Sequence, residues 1–362
     1  MFHDFILNKR VVDDELHTWG YHASFCCDAL KIQIDRKNLA PLGPHLATHN
    51  IYTGAGSVVK KLDGRAEYAL AQKVLNLNTD FAQSSHSTDQ PLISLREEAL
   101  ADRIRFSRVH ITSMDANMSP WATWMKLGTT SVVLRMMELG YLKDDIRFED
   151  DTYQVAIDVA YDTDLKVLYR QEDGRTITAL DVQYELLLTA QKMASREGLP
   201  DEAIRILDEW EHALVDLDTD PELLIDRSDW VAKRAVLRKY MARHALDLSD
   251  DEVIKKDRQW SHIGPLGIAS RLRDGVWSDY MPVEEVDRAY LMPPSGTRAA
   301  TRGRFIKEHH LKNRGERMFA SWEKVQILNS KTHIVMDDPS SLSYSIKVTT
   351  PGDDSEYDYD TL

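Results

Sequence analysis

The strongest constraint on the fold of this chain is a strand-like segment that leads directly into a long, almost uncharged helix. The sequence reads RVHITSMDANMSPWATWMKLGTTSVVLRMMELG over residues 108–140. Its first run alternates polar and apolar side chains with the period of a strand. The second run predicts a helix over about 121–139, because Gly140 is a typical helix stop. We therefore expect a sheet with one polar face, packed on a buried helix.

The polar face of that strand carries Arg108, His110 and Thr112. Arg96 ends a neighbouring predicted strand, and Gln72 ends another. If these strands pair, cationic and hydrogen-bonding side chains converge on one side of the sheet. Two interpretations remain open, namely a solvent-exposed face of an antiparallel sheet and a concave site for an anion.

A second cationic pattern lies near the C-terminus. The sequence TRAATRG places Arg298 and Arg302 four residues apart, on one face of a predicted helix. Two guanidinium groups in that geometry suit a polyphosphate, and a solvated basic helix gives the same pattern.

Common catalytic and phosphate-binding motifs are absent from the sequence, since GxxxxGK[ST], GxGxxG, HExxH and GxSxG do not occur. The glycines of residues 54–56 lie in a predicted hairpin, where they are typical of a bulge or of tight packing. His45 and His49 are four residues apart, but Pro41 and Pro44 argue against the helix that a metal site would need. We therefore expect both histidines at the surface.

Composition narrows the class of protein. The formal net charge of −14 argues against a nucleic-acid partner. No apolar run reaches the roughly 18 residues that span a bilayer, and the first residues lack the pattern of a signal peptide. We therefore expect a cytoplasmic protein with no membrane contact. Cys26 and Cys27 are adjacent and no Cys/His cluster occurs, which argues against structural zinc.

The order of elements predicts an α+β fold, with an antiparallel sheet and helices gathered on one side. A hairpin is expected within residues 52–72, strands at 91–96 and 108–114, and helices between residues 178 and 263. A short helix and two strands follow residues 293–296, which contain a Pro-Pro pair and a glycine. The predicted division is a domain over residues 1–292, a small C-terminal domain over 293–345 and an acidic tail over 346–362.

The same segments resemble the Pup ligase and Pup deamidase/depupylase family, whose members attach or remove the small protein tag Pup in bacteria with proteasomes. RVHITSMDAN and MKLGTTSVVL resemble the family's signature strand and helix. Further matches follow in order: TGAG (53–56), SLREE (94–98), TALDVQYE (178–185), SDWVAKRAVL (228–237), LSDDEV (248–253), PPSGTRAATRG (293–303) and SWEKVQI (321–327). GTTSVVL, DWVAK and the SWxxV ending are more similar to the depupylase branch than to the ligase branch.

The resemblance implies a fold like that of glutamine synthetase, in which a curved antiparallel sheet forms a cradle for ATP and magnesium. Arg96, His110, Arg298 and Arg302 would lie near the phosphates, and His110 would also face the metal. Trp322 would lie near the adenine, where a flat ring can stack. The implied partners are Pup and pupylated proteins. Pup is acidic in this family, so a basic groove is needed; the candidates, which also suit a solvated helix face, are Lys233, Arg234, Arg238, Lys239 and Arg243.

The chain departs from the family pattern at its metal-binding side chains. The family's first strand, with a GxExE-type pair of glutamates, has no counterpart, so the chain resembles an N-terminally shortened member. Ala23 and Pro120 stand where glutamates are expected, and Leu100 stands where a histidine is expected. Asp13 and Asp14 are weak candidates for the catalytic aspartate. Three functions stay open: an ATP- and magnesium-dependent depupylase or Pup deamidase, a catalytically silent Pup-binding protein, and a Pup ligase.

Overall fold

A computed structural model describes residues 7–12, 18, 21–83, 88–98, 100–142, 146–273, 277, 283–312, 317–328 and 332–348. These residues belong to two compact units. The first unit comprises Met1–Glu97 and Ser107–Tyr280, and the second comprises Glu98–Phe106 and Met281–Leu362. No described helix combines the length and the apolar character that crossing a membrane requires.

The main sheet of the first unit has four strands, in the order β1-β6-β5-β4. They are β1 (Ala23–Asp28), β4 (Thr79–Ala82), β5 (Pro91–Ser94) and β6 (Phe106–Ile111). β5 and β6 pair antiparallel, whereas β4 and β5 pair parallel. The sheet is therefore mixed, and the expectation of purely antiparallel pairing was wrong for one pair. β1 and β4 were not predicted, because they are short and their sequences do not alternate clearly.

Two short hairpins lie outside this sheet. β2 (Ser57–Lys60) pairs with β3 (Ala66–Ala69), and β7 (Tyr169–Arg170) pairs with β8 (Thr176–Ile177). The first confirms a hairpin within residues 52–72, although Tyr52 and Thr53 lie in a helix rather than in its first strand. Gln72, however, follows a strand of this separate hairpin, so its expected place beside Arg108 and His110 in one sheet was wrong.

Ten helices of the described first unit surround the sheets: α1 (Arg36–Leu39), α2 (Gly43–Thr48), α3 (Asn50–Thr53), α4 (Pro120–Glu138), α5 (Thr152–Tyr161), α6 (Ala179–Glu197), α7 (Asp201–Thr219), α8 (Asp229–His244), α9 (Asp251–Trp260) and α10 (Ile268–Arg273). Short 3₁₀ turns cover Ala40–Leu42, Lys73–Asn76 and Pro221–Leu224.

Helix α4 has the burial that its composition predicts. Ser119 caps it by accepting a hydrogen bond from the backbone N–H of Ala122, and proline occupies its first position. Trp121, Met125 and Val133 are almost completely buried. The helix packs against β1, α6 and α7. Its apolar residues belong to the main hydrophobic core, so the prediction of a buried helix packed on the sheet is confirmed.

The predicted surface position of His45 and His49 was wrong. Both side chains are fully buried, and their rings stack with centroids 5.3 Å apart. Pro44 lies in the first turn of α2, where it is compatible with a helix. Burial lowers the pKa of His45 well below its usual value and that of His49 to about 4. Both histidines are therefore neutral members of the core.

The second unit contains α11 (Val283–Leu291), α12 (Arg298–Lys312) and a sheet of β9 (Met318–Ala320), β10 (Lys324–Ile327), β11 (Thr332–Val335) and β12 (Ser345–Val348). The strand order is β12-β11-β10-β9 and all pairs are antiparallel. Val325, Ile334 and Met336 form its core with Phe305 and Met318.

The predicted domain boundaries at 292/293 and 345/346 stay predictions. Residues 346–348 of the predicted tail lie in β12, and residues 349–362 lie outside the described part of the chain.

Candidate functional site

The polar face of β6 carries the guanidinium group of Arg108 and the buried imidazole of His110. Val109 and Ile111 are completely buried in the core, so Arg108 and His110 point to the opposite face. Arg108 Nε donates to Ser24 Oγ over 3.1 Å. His110 lies opposite Ser94 of β5. The alternation in the sequence therefore predicted the two faces of this strand correctly.

His22 joins this cluster from the residue before β1. Its ring meets the His110 ring edge-on, with centroids 4.9 Å apart. His22 and Ser24 are two residues apart and share a face, as in an extended chain. Sequence reasoning missed both as site residues, although Ala23 between them stands where the family has a metal-binding glutamate. We name the set His22, Ser24, Ser94, Arg108 and His110 the β6 polar face.

Thr112 and Arg96 lie at the margins of the β6 polar face. Thr112 is buried, and its hydroxyl donates to the Pro91 carbonyl oxygen over 2.7 Å. This hydrogen bond holds the first residue of β5 in place. Arg96 follows β5 with an exposed side chain, and its backbone N–H donates to Ser94 Oγ over 3.3 Å. Arg96 thus continues the row of polar groups beyond the end of its strand.

The donor set of the β6 polar face fits an anion and does not fit magnesium. Magnesium prefers carboxylate, carbonyl and water oxygens, and this face offers imidazole, guanidinium and hydroxyl groups. Within the described parts of the chain, no group of three or more His, Cys, Asp or Glu side chains could hold a metal. Ala23, at the expected position of a metal-binding glutamate, belongs to the hydrophobic core. His110 as a metal ligand stays a prediction.

The loop after β6 is held by a buried carboxylate, Asp115. It accepts backbone N–H groups from Ala55 at 2.8 Å, Gln72 at 3.0 Å and Lys73 at 2.7 Å. These donors lie far from Asp115 in the sequence, which is why sequence reasoning did not find this contact. The carboxylate joins the end of β6 to the loop before β2 and to the segment after β3.

Lys126 of α4 makes hydrogen bonds to the same loop. Its ammonium group donates to the Asp115 carbonyl oxygen and to Asn117 Oδ1, and it lies 3.7 Å from the centroid of the Tyr21 ring. Burial lowers the pKa of Lys126 to about 7. Asn117 in turn donates to Asp229 Oδ2 over 3.1 Å. The conformation of the segment 115–117 is therefore fixed by partners on α4 and α8.

The glycines of residues 54–56 cannot form a phosphate cradle. The three backbone N–H groups are used internally, by the Asn50 carbonyl, the Asp115 carboxylate and the Leu70 carbonyl. A Cβ added to Gly54 would lie 2.1 Å from the Leu70 carbonyl oxygen. Tight packing, one of the roles that the sequence predicted, is confirmed for this glycine.

The predicted basic groove on α8 was wrong for its two most N-terminal residues, Lys233 and Arg234. Both are buried. Lys233 Nζ lies 3.1 Å from Asp257 Oδ1, and Arg234 Nη2 lies 3.2 Å from Glu222 Oε1. Burial alone would raise the pKa of Asp257, but the adjacent charges of Lys233 and Arg10 hold it below its usual value. The exposed members of the set are Arg238, Lys239 and Arg243.

The second unit brings Arg302 and Trp322 together. Arg302 Nη1 donates to the Trp322 carbonyl oxygen over 2.9 Å, and the guanidinium carbon lies 5.1 Å from the ring centroid. The Trp322 side chain remains exposed. Arg298 Nη1 donates to the carbonyl oxygens of Leu100 and Met336.

The remaining predicted site residues lie elsewhere in the chain. Arg96 and His110 belong to the first unit, and Asp13 and Asp14 lie outside the described residues.

The chain has a mixed sheet with a cationic face, a buried helix packed on that sheet, and a small C-terminal sheet domain. These features define the predicted class, an α+β protein of glutamine-synthetase-like fold. The pattern of the family described as "Pup-ligase protein" matches residues 3–326. A Pup–protein ligase from Acidimicrobium ferrooxidans is 33% identical over 309 residues, 84% of this chain and 66% of that protein. A depupylase from Acidothermus cellulolyticus is 35% identical over 325 residues, 88% of this chain and 63% of that protein.

Two solved structures share the fold of this chain. The crystal structure of the complex between the prokaryotic ubiquitin-like protein Pup and its ligase PafA matches with a TM-score of 0.83 at 24% identity, over 93% of this chain and 69% of that chain. The structure of PafA in complex with ADP matches with the same TM-score, over 95% of this chain and 75% of that chain. The predicted fold class is confirmed, and the chain belongs to the Pup-ligase family. It spans 66% and 63% of the two relatives named above.

Proposed function

We propose that this chain acts in the Pup pathway by binding Pup together with a nucleotide. The observation that carries the proposal is the match to the Pup-ligase family over residues 3–326. Solved relatives of the same fold are complexes with Pup and with ADP, which supports both ligands. The cationic β6 polar face adds a physical reason, because guanidinium and hydroxyl groups suit phosphate oxygens.

Labelled Pup provides the test of this proposal. Fluorescence polarisation of Pup titrated with the chain is expected to give a dissociation constant of about 10 μM or lower, a free energy near −7 kcal/mol. Absence of binding at about 1 mM chain would refute the proposal.

The nucleotide would contact Arg96 and His110 in the first unit. Arg298, Arg302 and Trp322 belong to the second unit, and their predicted part in nucleotide binding stays a separate proposal for that unit. Replacing Arg96 with alanine is expected to weaken ATP binding about tenfold, the effect of one charge-assisted contact. The matched control Arg243→Ala removes an exposed arginine of α8 and should leave the ATP affinity unchanged.

The first candidate activity is hydrolysis of the amide bond at the C-terminal Gln or Glu of Pup, as in a depupylase or Pup deamidase. The 35% identity to a depupylase supports it, and the 33% identity to a Pup ligase makes ligation the further alternative. Asp13 and Asp14 stay the proposed catalytic carboxylates. ATP with magnesium stays the proposed cofactor; among the described residues no group of three or more His, Cys, Asp or Glu side chains could hold a metal.

The second candidate is a catalytically silent Pup-binding protein. It is favoured by the side chains at the expected metal positions, since Ala23 lies in the core and proline occupies position 120 at the start of α4. A pupylated substrate incubated with ATP and magnesium separates the candidates. Release of the free substrate supports the depupylase, and new conjugates formed from free Pup support the ligase. Pup binding that survives chelation of magnesium, with neither product formed, supports the silent protein.

A further inference from the structure

The edge strand β12 of the second unit carries an exposed apolar side chain on the core face of its sheet. Ile346 lies opposite Ile334 of β11, and Ile334 lies opposite Val325 of β10. Residues that lie opposite one another on paired strands point to the same face. Val325 and Ile334 are only 5% and 9% exposed, whereas Ile346 is 67% exposed. The buried row of this sheet therefore ends at an open position on β12.

Tyr344 extends this apolar surface by one position. Its ring meets the Phe305 ring edge-on, with centroids 5.1 Å apart, and Phe305 packs against the core of the second unit. Tyr344 therefore lies on the same face as Ile346, and it too is exposed. The Leu342 carbonyl oxygen accepts the Thr301 hydroxyl over 2.8 Å, which holds the approach to β12 against α12. We name Tyr344 and Ile346 the β12 apolar strip.

The outer side of β12 has backbone groups that a further strand could pair with. The strand order is β12-β11-β10-β9, and no strand in the described part of the chain lies beyond β12. An edge strand presents a row of N–H and C=O groups to any strand that adds to it, and lysine is a common guard against such pairing. Lys347 alternates with Ile346 and so points to the opposite face. A fifth strand would thus both pair with this edge and cover Ile346.

We propose that a second copy of this chain supplies this fifth strand, so that two β12 strands pair antiparallel about a two-fold axis. The edge is self-complementary in charge. When Ile346 lies opposite the partner's Ile346, Lys347 lies opposite the partner's Ser345, and no like charges meet. A shift of the register that placed the two copies of Lys347 opposite each other would be destabilising. This inference concerns the second unit alone and is independent of the binding of Pup or a nucleotide.

The acidic sequence after β12 favours the antiparallel arrangement. Residues 353–360 read DDSEYDYD. The C-terminal ends of two antiparallel strands lie at opposite ends of the pair, so this sequence is not brought together with its copy. Parallel pairing would bring the two acidic sequences side by side, which like-charge repulsion disfavours.

The dimer is expected to be weak, because a pair of four-residue strands with its apolar strip buries less than a standard protein interface. Sedimentation equilibrium of the full chain between about 5 and 500 μM should give a monomer–dimer dissociation constant of roughly 10–100 μM.

Ile346→Lys tests the assigned surface. It removes the apolar side chain and sets two ammonium groups opposite each other, so dimerisation should weaken at least about tenfold. The matched control Leu62→Lys makes the same kind of change at a fully exposed leucine of the first unit and should leave the dissociation constant within about twofold. Since Ile346 is exposed, its variant should keep the melting temperature of the unmodified chain.

Cross-linking tests the register. In a Cys26→Ser background, which removes the exposed thiol, Ile346→Cys should form a disulfide-linked dimer under mild oxidation. Lys347→Cys should not, because in this register the two Cα atoms at position 347 are about 8 Å apart, beyond the reach of a disulfide.

Four results would overturn the inference. A chain that stays monomeric up to about 500 μM has no such dimer. Unchanged dimerisation of Ile346→Lys would place the contact elsewhere, and an equal loss in Leu62→Lys would show a general effect of charge. Equal cross-linking of Lys347→Cys and Ile346→Cys would exclude the register. Dimerisation only after removal of residues 349–362 would assign the edge of β12 to that segment of the same chain.

Discussion

At the scale of single residues, Asp115 is the group on which the loop after β6 depends most. Its carboxylate accepts three backbone N–H groups from two other segments. In Asp115→Asn an amide NH₂ group replaces one of the two acceptor oxygens and faces these N–H donors. The free energy of unfolding is expected to fall by about 2–4 kcal/mol, measured by urea denaturation.

A matched control for Asp115 is Asp63, whose carboxylate accepts the Arg65 N–H in an exposed turn. Asp63→Asn should change the free energy of unfolding by less than about 0.5 kcal/mol. If Asp115→Asn and Asp63→Asn lower the free energy of unfolding by the same amount, the role assigned to Asp115 is wrong.

His49 makes the stability of the chain sensitive to acid. Its folded pKa is lowered by burial to about 4, below the usual 6.5. Between these values the unfolded chain binds a proton that the folded chain does not, so stability falls as the pH falls. From pH 7 to pH 5 the loss from this residue is about 2 kcal/mol, since one pKa unit corresponds to about 1.4 kcal/mol.

Urea midpoints at pH 7 and pH 5 test this prediction. His49→Gln removes the titrating ring and should show a smaller drop between the two pH values than the unmodified chain. His212→Gln alters an exposed histidine of α7 and should keep the full drop. A drop that is the same in all three proteins would assign the acid sensitivity to other groups.

At the scale of elements, the contact between α4 and α7 is closest at Gly128. A Cβ added there would lie 2.4 Å from Cδ1 of Ile206 and 2.8 Å from its Cγ1. Gly128→Ala is therefore expected to lower the free energy of unfolding by about 1–3 kcal/mol, the usual effect of overpacking a core. Removing the Ile206 side chain should relieve the clash.

A double-mutant cycle checks this contact. In an Ile206→Ala background, Gly128→Ala should be destabilising by at least about 1 kcal/mol less than in the original chain. Strict additivity of the two changes would contradict the packing of α4 on α7.

The elements also show where sequence reasoning succeeds. Helix α6 begins after a Thr178–Asp181 capping box and ends just before Gly198, and each signal is local. The strands β1 and β4 carry no such signal, because their short runs are defined by their neighbours in the sheet. Two of the five members of the β6 polar face were predicted, because Arg108 and His110 come from one alternating run. The other three come from neighbouring segments of the sheet. Asp115 was missed because its partners lie 42 to 60 residues away in the sequence. Lys126 was missed because no sequence pattern predicts that a lysine of a buried helix donates to the loop before that helix.

At the scale of the whole molecule, the chain combines the fold of the Pup-ligase family with a site whose described residues are cationic rather than acidic. The fold similarity covers 93% of the chain. The positions expected to hold metal carry alanine, leucine and proline. The central claim is therefore that this chain binds polyphosphate mainly through arginine, histidine and hydroxyl groups, and that magnesium contributes little to the affinity.

Calorimetric titration of the chain with ATP, once with magnesium and once with a chelator, tests this claim most directly. The claim predicts measurable binding in both conditions, with dissociation constants within about threefold, or about 0.7 kcal/mol. Binding that appears only with magnesium, or no binding at about 1 mM ATP in either condition, would contradict it.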